Sequence, residues 1–236
     1  MKNYLKQESF LGEAEDAEDA VHSSELLEQK LALLEKDIAE LDAQQEDIRL
    51  KKQTECGYIL LDLDRKDEAW ALGHEVFKKA LVAQSWLETV EACDIIYQAE
   101  KDDAVKALGH GIWLSVTFPI EPELSIAMLQ NLIDESPDRS DGSAVAAATA
   151  SYIIDLRIED DKRRADLKFF VTQMMGEVAR RHSQVDEQEI FDFWVQKLEL
   201  DDPQKFIPRL GQVVETIVDN DWWYDRDALR KLIPEA

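Results

Sequence analysis

Residues 23–57 read SSELLEQKLALLEKDIAELDAQQEDIRLKKQTECG, and the fold class follows from this stretch. Leu27, Leu31, Leu34, Ile38, Leu41, Gln45 and Ile48 recur at alternating spacings of four and three. That is a heptad seam, with Leu27, Leu34, Leu41 and Ile48 at one core position and Leu31, Ile38 and Gln45 at the other. Gln45 is the polar exception, a residue type that fixes register at some cost in stability. Ser23 or Ser24 can cap the start, with acidic side chains in the first turn. Cys56-Gly57 is expected to end the run. The seam predicts one coiled-coil helix over residues 23–55. Its expected self-association residues are Leu27, Leu31, Leu34, Ile38, Leu41 and Ile48, holding a homodimer. The same face could instead pair with a partner's helix or fold back on the chain's own body.

Outward from this helix the pattern changes on both sides. Residues 1–22 carry the acidic, small-residue run Glu13-Ala14-Glu15-Asp16-Ala17-Glu18-Asp19-Ala20. A segment without an apolar stripe cannot offset its ordering entropy, so a disordered acidic tail is expected. Residues 58–236 alternate apolar helical periods with short breaks, and the chain holds only 8 Gly and 6 Pro. Few turn residues argue against a sandwich or barrel. The expectation is all-α: the N-terminal coiled-coil helix, then a stack of antiparallel helical hairpins resembling an α-solenoid. Ser143–Arg157 is rich in alanine, which lets another helix approach closely. Asp201-Asp202-Pro203 is expected to cap a helix over Gln204–Val218.

An internal echo lies within this body. Ala71-Leu72-Gly73-His74-Glu75-Val76-Phe77 matches Ala107-Leu108-Gly109-His110-Gly111-Ile112-Trp113 at an offset of 36 residues. Acidic turns precede both, Lys66-Asp67-Glu68-Ala69 and Asp102-Asp103-Ala104-Val105, and periods in this range mark stacked helical hairpins. Over about residues 66–135 the chain resembles a degenerate tetratricopeptide-type repeat. The resemblance implies a hairpin architecture and peptide or protein binding. The terminal Pro of that pattern is missing, and the second helices, Trp86–Glu100 and Glu123–Glu135, share little. No binding residue carries over.

Charge narrows the partners. The net charge is −24, of which −8 lies in residues 1–55 and −16 in the rest. Direct contact with nucleic acid needs a basic surface, and anionic membranes need one too, so neither is expected. A protein partner of basic character fits the acidity, and so does mimicry of nucleic acid. Cys56 and Cys93 form no CxxC, and no framework of disulfides is signalled, which fits a reducing, cytoplasmic setting. No signal peptide is visible at Met1–Lys6, and no apolar run approaches the ~20 residues a spanning helix needs.

Candidate chemistry is sparse. His74 and His110 stand at equivalent places in the echo and are the residues a metal-binding or enzymatic reading would use with nearby carboxylates. No HEXXH, GxGxxG or GxxxxGK[ST] occurs, and no cofactor is expected. Acidic neighbours around Cys93 disfavour a catalytic thiolate. The Trp222-Trp223-Tyr224 run is more informative, because adjacent tryptophans cannot both face inward from a regular helix. The leading expectation is therefore a non-enzymatic adaptor or assembly chaperone. Its expected partner-binding residues are Trp222, Trp223 and Tyr224 as a hydrophobic anchor, with Glu75, Lys78, Lys79 and Lys106 as polar neighbours.

Overall fold

The computed structural model describes Tyr4, Leu5 and residues 17–233, with side chains of the first helix described from Ser23 onward. The described residues are all-α, with eleven helices and no strand. In order these are α1 (Ala17–Glu40), α2 (Glu46–Asp62), α3 (Lys66–Ala83), α4 (Trp86–Gln98), α5 (Ala104–Thr117) and α6 (Pro122–Glu135). There follow α7 (Asp141–Arg157), α8 (Asp161–Ser183), α9 (Gln188–Lys197), α10 (Pro203–Val218) and α11 (Arg226–Arg230). Of the expected tail, residues 1–3 and 6–16 lie outside the described residues. Ala17–His22 already belongs to α1, so Ser23 and Ser24 sit inside that helix rather than capping it.

The single helix expected over residues 23–55 is two helices. The break falls at residues 41–45, not at Cys56-Gly57. Asp42 carries the turn: its Oδ1 accepts from Gln44 N at 2.8 Å, while Gln45 Oε1 accepts from Asp42 N at 3.1 Å. Gln45 is thus a turn residue, not a register residue in a seam. Arg49 then reaches back and donates to the carbonyls of Leu41 and Asp42 at 2.9 and 3.1 Å, satisfying groups that the end of α1 leaves open. With that turn, α1 folds back on α2.

Folding back decides where the seam goes. Leu31 and Leu34 are buried with Cys56, Ile59, Leu60, Ala69 and Ile95, and Leu27 and Ile38 pack against the same cluster. Leu41 is half-buried and Ile48 is exposed. Of the alternatives for this face, fold-back is the one present. Ion pairs flank it, Lys30–Glu55 and Lys52–Asp37 at 2.7 Å each. Such exposed pairs contribute about 0–1 kcal/mol each, so the apolar contacts dominate.

The described chain forms two compact units whose boundary lies within α5, after Ala107. In the first, α4 packs on both α2 and α3 and is buried on nearly every side. Gly57 continues α2 instead of ending it, because the place of its side chain is taken. A Cβ there would stand 2.6 Å from Ile95 Cδ1. Gly73 repeats the arrangement against Ile96 Cγ1 at 2.8 Å. Glycine in a helix costs about 1 kcal/mol in propensity, and here the close approach of α4 offsets it. Asp94 is buried on α4 but accepts from Tyr58 Oη at 2.9 Å and Gln98 Nε2 at 2.7 Å, so its carboxylate is solvated by the protein.

In the second unit, α7 is the central helix, packed against α6, α8 and α10. Ala144, Ala146, Ala147 and Ala150 are fully buried on it. Their small side chains let three neighbours come close, as the alanine-rich sequence implies. Asp202 caps α10 by accepting from Gln204 N at 3.0 Å, with Pro203 at the first helical position.

Two outcomes test this packing. Gly57→Val should lower stability by ~1–3 kcal/mol, read from a thermal melt, since the added carbons meet Ile95. Both thiols should resist a thiol reagent in the folded protein and react together after denaturation. Cys56 is buried, and burial with the nearby Glu35 and Glu55 pushes its thiol up to about 11. Burial likewise pushes Cys93 well up, leaving little thiolate on either near neutral pH.

Candidate functional site

Helix α5 sets His110 and Trp113 on one face at i, i+3 spacing. After α10 the chain turns through Asp219 and Asn220, whose φ values of 53° and 58° are left-handed. Asp and Asn tolerate that region better than most residues. The turn carries residues 222–224 back onto α5. His110 is fully buried, with its ring centroid 4.2 Å from Trp223, 5.3 Å from Trp222 and 5.4 Å from Tyr224. Tyr224 Oη donates to the His110 carbonyl at 3.1 Å, and Trp113 packs at 5.4 Å from Tyr224.

A charged bracket closes the cluster. Glu215 on α10 accepts from Trp222 Nε1 at 3.2 Å and pairs with Arg226 at 2.6 Å. The Arg226 guanidinium also lies 3.9 Å from the centroid of the Trp222 ring, a cation–π contact. The indole N–H, and then Arg226, hold the Glu215 carboxyl below the usual carboxylate range. Trp222, Trp223 and Tyr224 are each half-buried. Their rings fasten the C-terminal segment to α5 and keep partial exposure.

Beside this cluster is a groove of about 800 Å³ that opens to solvent. Ile112, Trp113 and Val116 line it from α5, and Ile207, Pro208 and Gly211 from α10. Glu215, Arg226 and Arg230 are its charged residues. Gly211 differs from the packing glycines. A Cβ there would meet nothing within 4 Å, whereas one at Gly109 would stand 2.7 Å from Val218 Cγ2. Pro208 lies inside α10, where it withholds a backbone donor. Sequence reading missed this groove. The signal available was a Pro and a Gly three residues apart inside an otherwise strongly amphipathic helix.

The echo does not extend to contacts. Gly73 is filled by α4, the next helix in the chain, while Gly109 is filled by α10, a hundred residues away. His74 pairs through Nε2 with Asp103 Oδ2 at 2.7 Å, and Trp70 Nε1 donates to Asp103 Oδ1 at 2.7 Å. His110 instead sits among aromatic rings. Neither belongs to a group of three or more candidate metal ligands among the described residues. The polar candidates are placed as follows: Glu75, Lys78 and Lys79 are exposed on α3, and Lys106 is half-buried on α5. Glu75 pairs with Lys79 at 2.6 Å.

The Glu215 bracket has a pH signature. A carboxylate held below its ordinary pKa stabilises the fold above that ordinary value and ceases to as pH falls through the lowered one. Glu215→Gln should therefore lower the melting temperature near pH 7, and the difference from the wild type should shrink as the pH is taken below about 4. Tryptophan fluorescence of the melt reports this cluster together with Trp70, Trp86 and Trp194. Comparison of this chain with protein-family models, with curated proteins and with solved structures finds no match.

Proposed function

We propose that this chain is a non-enzymatic protein-binding module, an adaptor or assembly chaperone acting in the cytoplasm, and that the groove between α5 and α10 receives the partner. The observation that carries this reading is Gly211. Alanine would be a better helix former there by about 1 kcal/mol and would clash with nothing. Pro208, three residues earlier, is also exposed toward the groove. Gly211 keeps a side chain out of a space that neighbouring apolar residues line, and Pro208 on the same open face withholds a backbone donor. Stability is sacrificed in this way where a surface must receive something.

Other features agree with the reading. The groove floor is apolar and includes Trp113, and tryptophan is the residue type most enriched at binding hot spots. The Glu215–Arg226 bracket holds the wall in place, so little ordering entropy remains to be lost on binding. The net charge of −24 draws a basic protein toward the surface at long range. Trp222, Trp223 and Tyr224 act in this reading as the frame of the groove, and the polar residues Glu75, Lys78, Lys79 and Lys106 as surface away from it in sequence.

Gly211→Phe tests the proposal. The ring would project into the groove, so partner capture should fall at least ~30-fold, the loss expected when a hot-spot contact of about 2 kcal/mol is blocked. The melting temperature should stay level or rise. The measurement is quantitative mass spectrometry of proteins co-purifying with wild-type and Gly211→Phe chains, beside a thermal melt of each. An identical set of captured proteins on both chains would overturn the groove as the binding site.

A further inference from the structure

The groove's charges specify what it takes. On α11, Arg226 and Arg230 are one turn apart and share a face. Arg226 is committed to Glu215 and to the Trp222 ring. Arg230 is placed differently. Its guanidinium lies 5.9 Å from the centroid of the Trp113 ring at the groove, and its side chain is 54% exposed. It pairs with Asp227 at 2.8 Å, but that carboxylate is 82% exposed. Exposed pairs of this kind hold weakly, and a better-placed acceptor displaces them. In a chain with a net charge of −24, the groove carries two arginines against one glutamate.

We infer that the groove takes an amphipathic helix of a partner protein, with an apolar face against Trp113, Val116 and Ile207 and a carboxylate side chain on Arg230. This rests on the groove being the binding site. α5 and α10 form the walls with α11 at one side, and at Gly211 the α10 surface carries no side chain. A helix backbone can approach such a point closely, and the i, i+3, i+4 apolar face of a helix matches a trough of this kind. The open side would leave a small apolar ligand largely wet, whereas small-ligand sites bury most of their occupant. Arg230 presents a planar donor fork suited to bidentate pairing with a carboxylate. The Trp113 ring beneath it supports that orientation. The acidity of the remaining surface limits the partner's carboxylates to the few that meet this rim and leaves the rest of the partner basic.

The test uses the full chain and a display library of 16-residue amphipathic helices. Leu, Ile and Ala form a constant apolar face, and the flanking positions are randomised. Clones are selected on the wild-type protein and counter-screened on Gly211→Phe. Clones lost on Gly211→Phe should be enriched in Asp or Glu at one flanking position, and synthetic peptides with Lys there should bind about ten-fold more weakly, the worth of one charge-assisted hydrogen bond. Arg230→Glu should invert that preference while the chain keeps its helical circular-dichroism spectrum. If Gly211-sensitive clones show no acidic preference, or Arg230→Glu leaves the ranking as it was, the carboxylate inference is overturned and the groove reading stands. If no clone is sensitive to Gly211→Phe, both are overturned. If decanoate binds in a Gly211-sensitive way and no peptide does, the occupant is a small apolar acid and the helix assignment fails.

Discussion

Close approach of helix backbones is the constraint on which this architecture depends. Ile95 and Ile96, adjacent on α4, fill the places that side chains would take at Gly57 on α2 and Gly73 on α3. One helix is thereby seated against two, and nearly every residue of α4 is buried. The second unit solves the same problem with alanine along α7 and with Gly109 against Val218. Interiors are close-packed, so a single added methyl at such a contact has nowhere to go.

This use of glycine explains how the turns are made. Among the described residues no glycine has a positive φ. The left-handed positions fall to Asp64, Gln84, Glu100, Arg139, Gln184, Glu199, Asp219 and Asn220. Polar residues at helix ends carry a modest conformational cost there, while Gly57, Gly73 and Gly109 stand where a Cβ would collide. Gly211 has open space where its Cβ would be and lies in the lining of the groove.

The aromatic cluster around His110 joins fold to candidate function. Rings on Trp222, Trp223 and Tyr224 pack on α5, and the Glu215–Arg226 pair locks the segment that bears them. Of these, Glu215 and Arg226 also line the groove. Sequence reading placed the tryptophans as candidate anchors on a partner. In the structure they are half-buried, packed on His110 of α5 and, through Trp222, bonded to Glu215 of α10.

Sequence alone was enough for the all-α class, for α4, α6, α7 and α10 to within a few residues at each end, for the Asp202-Pro203 cap and for the close approach that the alanines of α7 allow. These depend on local physics: apolar period, capping side chains and helix propensity act within a few residues. The place where the first helix breaks required tertiary structure, since Arg49 and Gln45 stabilise a turn that a heptad pattern does not reveal. So did the fate of Leu31 and Leu34, because a heptad seam looks the same whether it meets another chain or its own. The groove was hidden for a further reason. It is formed by α5 and α10, about ninety residues apart, and by the absence of a side chain at Gly211. A glycine inside a helix carries no mark of what surrounds it, and only the packing of other elements decides whether the missing Cβ is a contact or an opening.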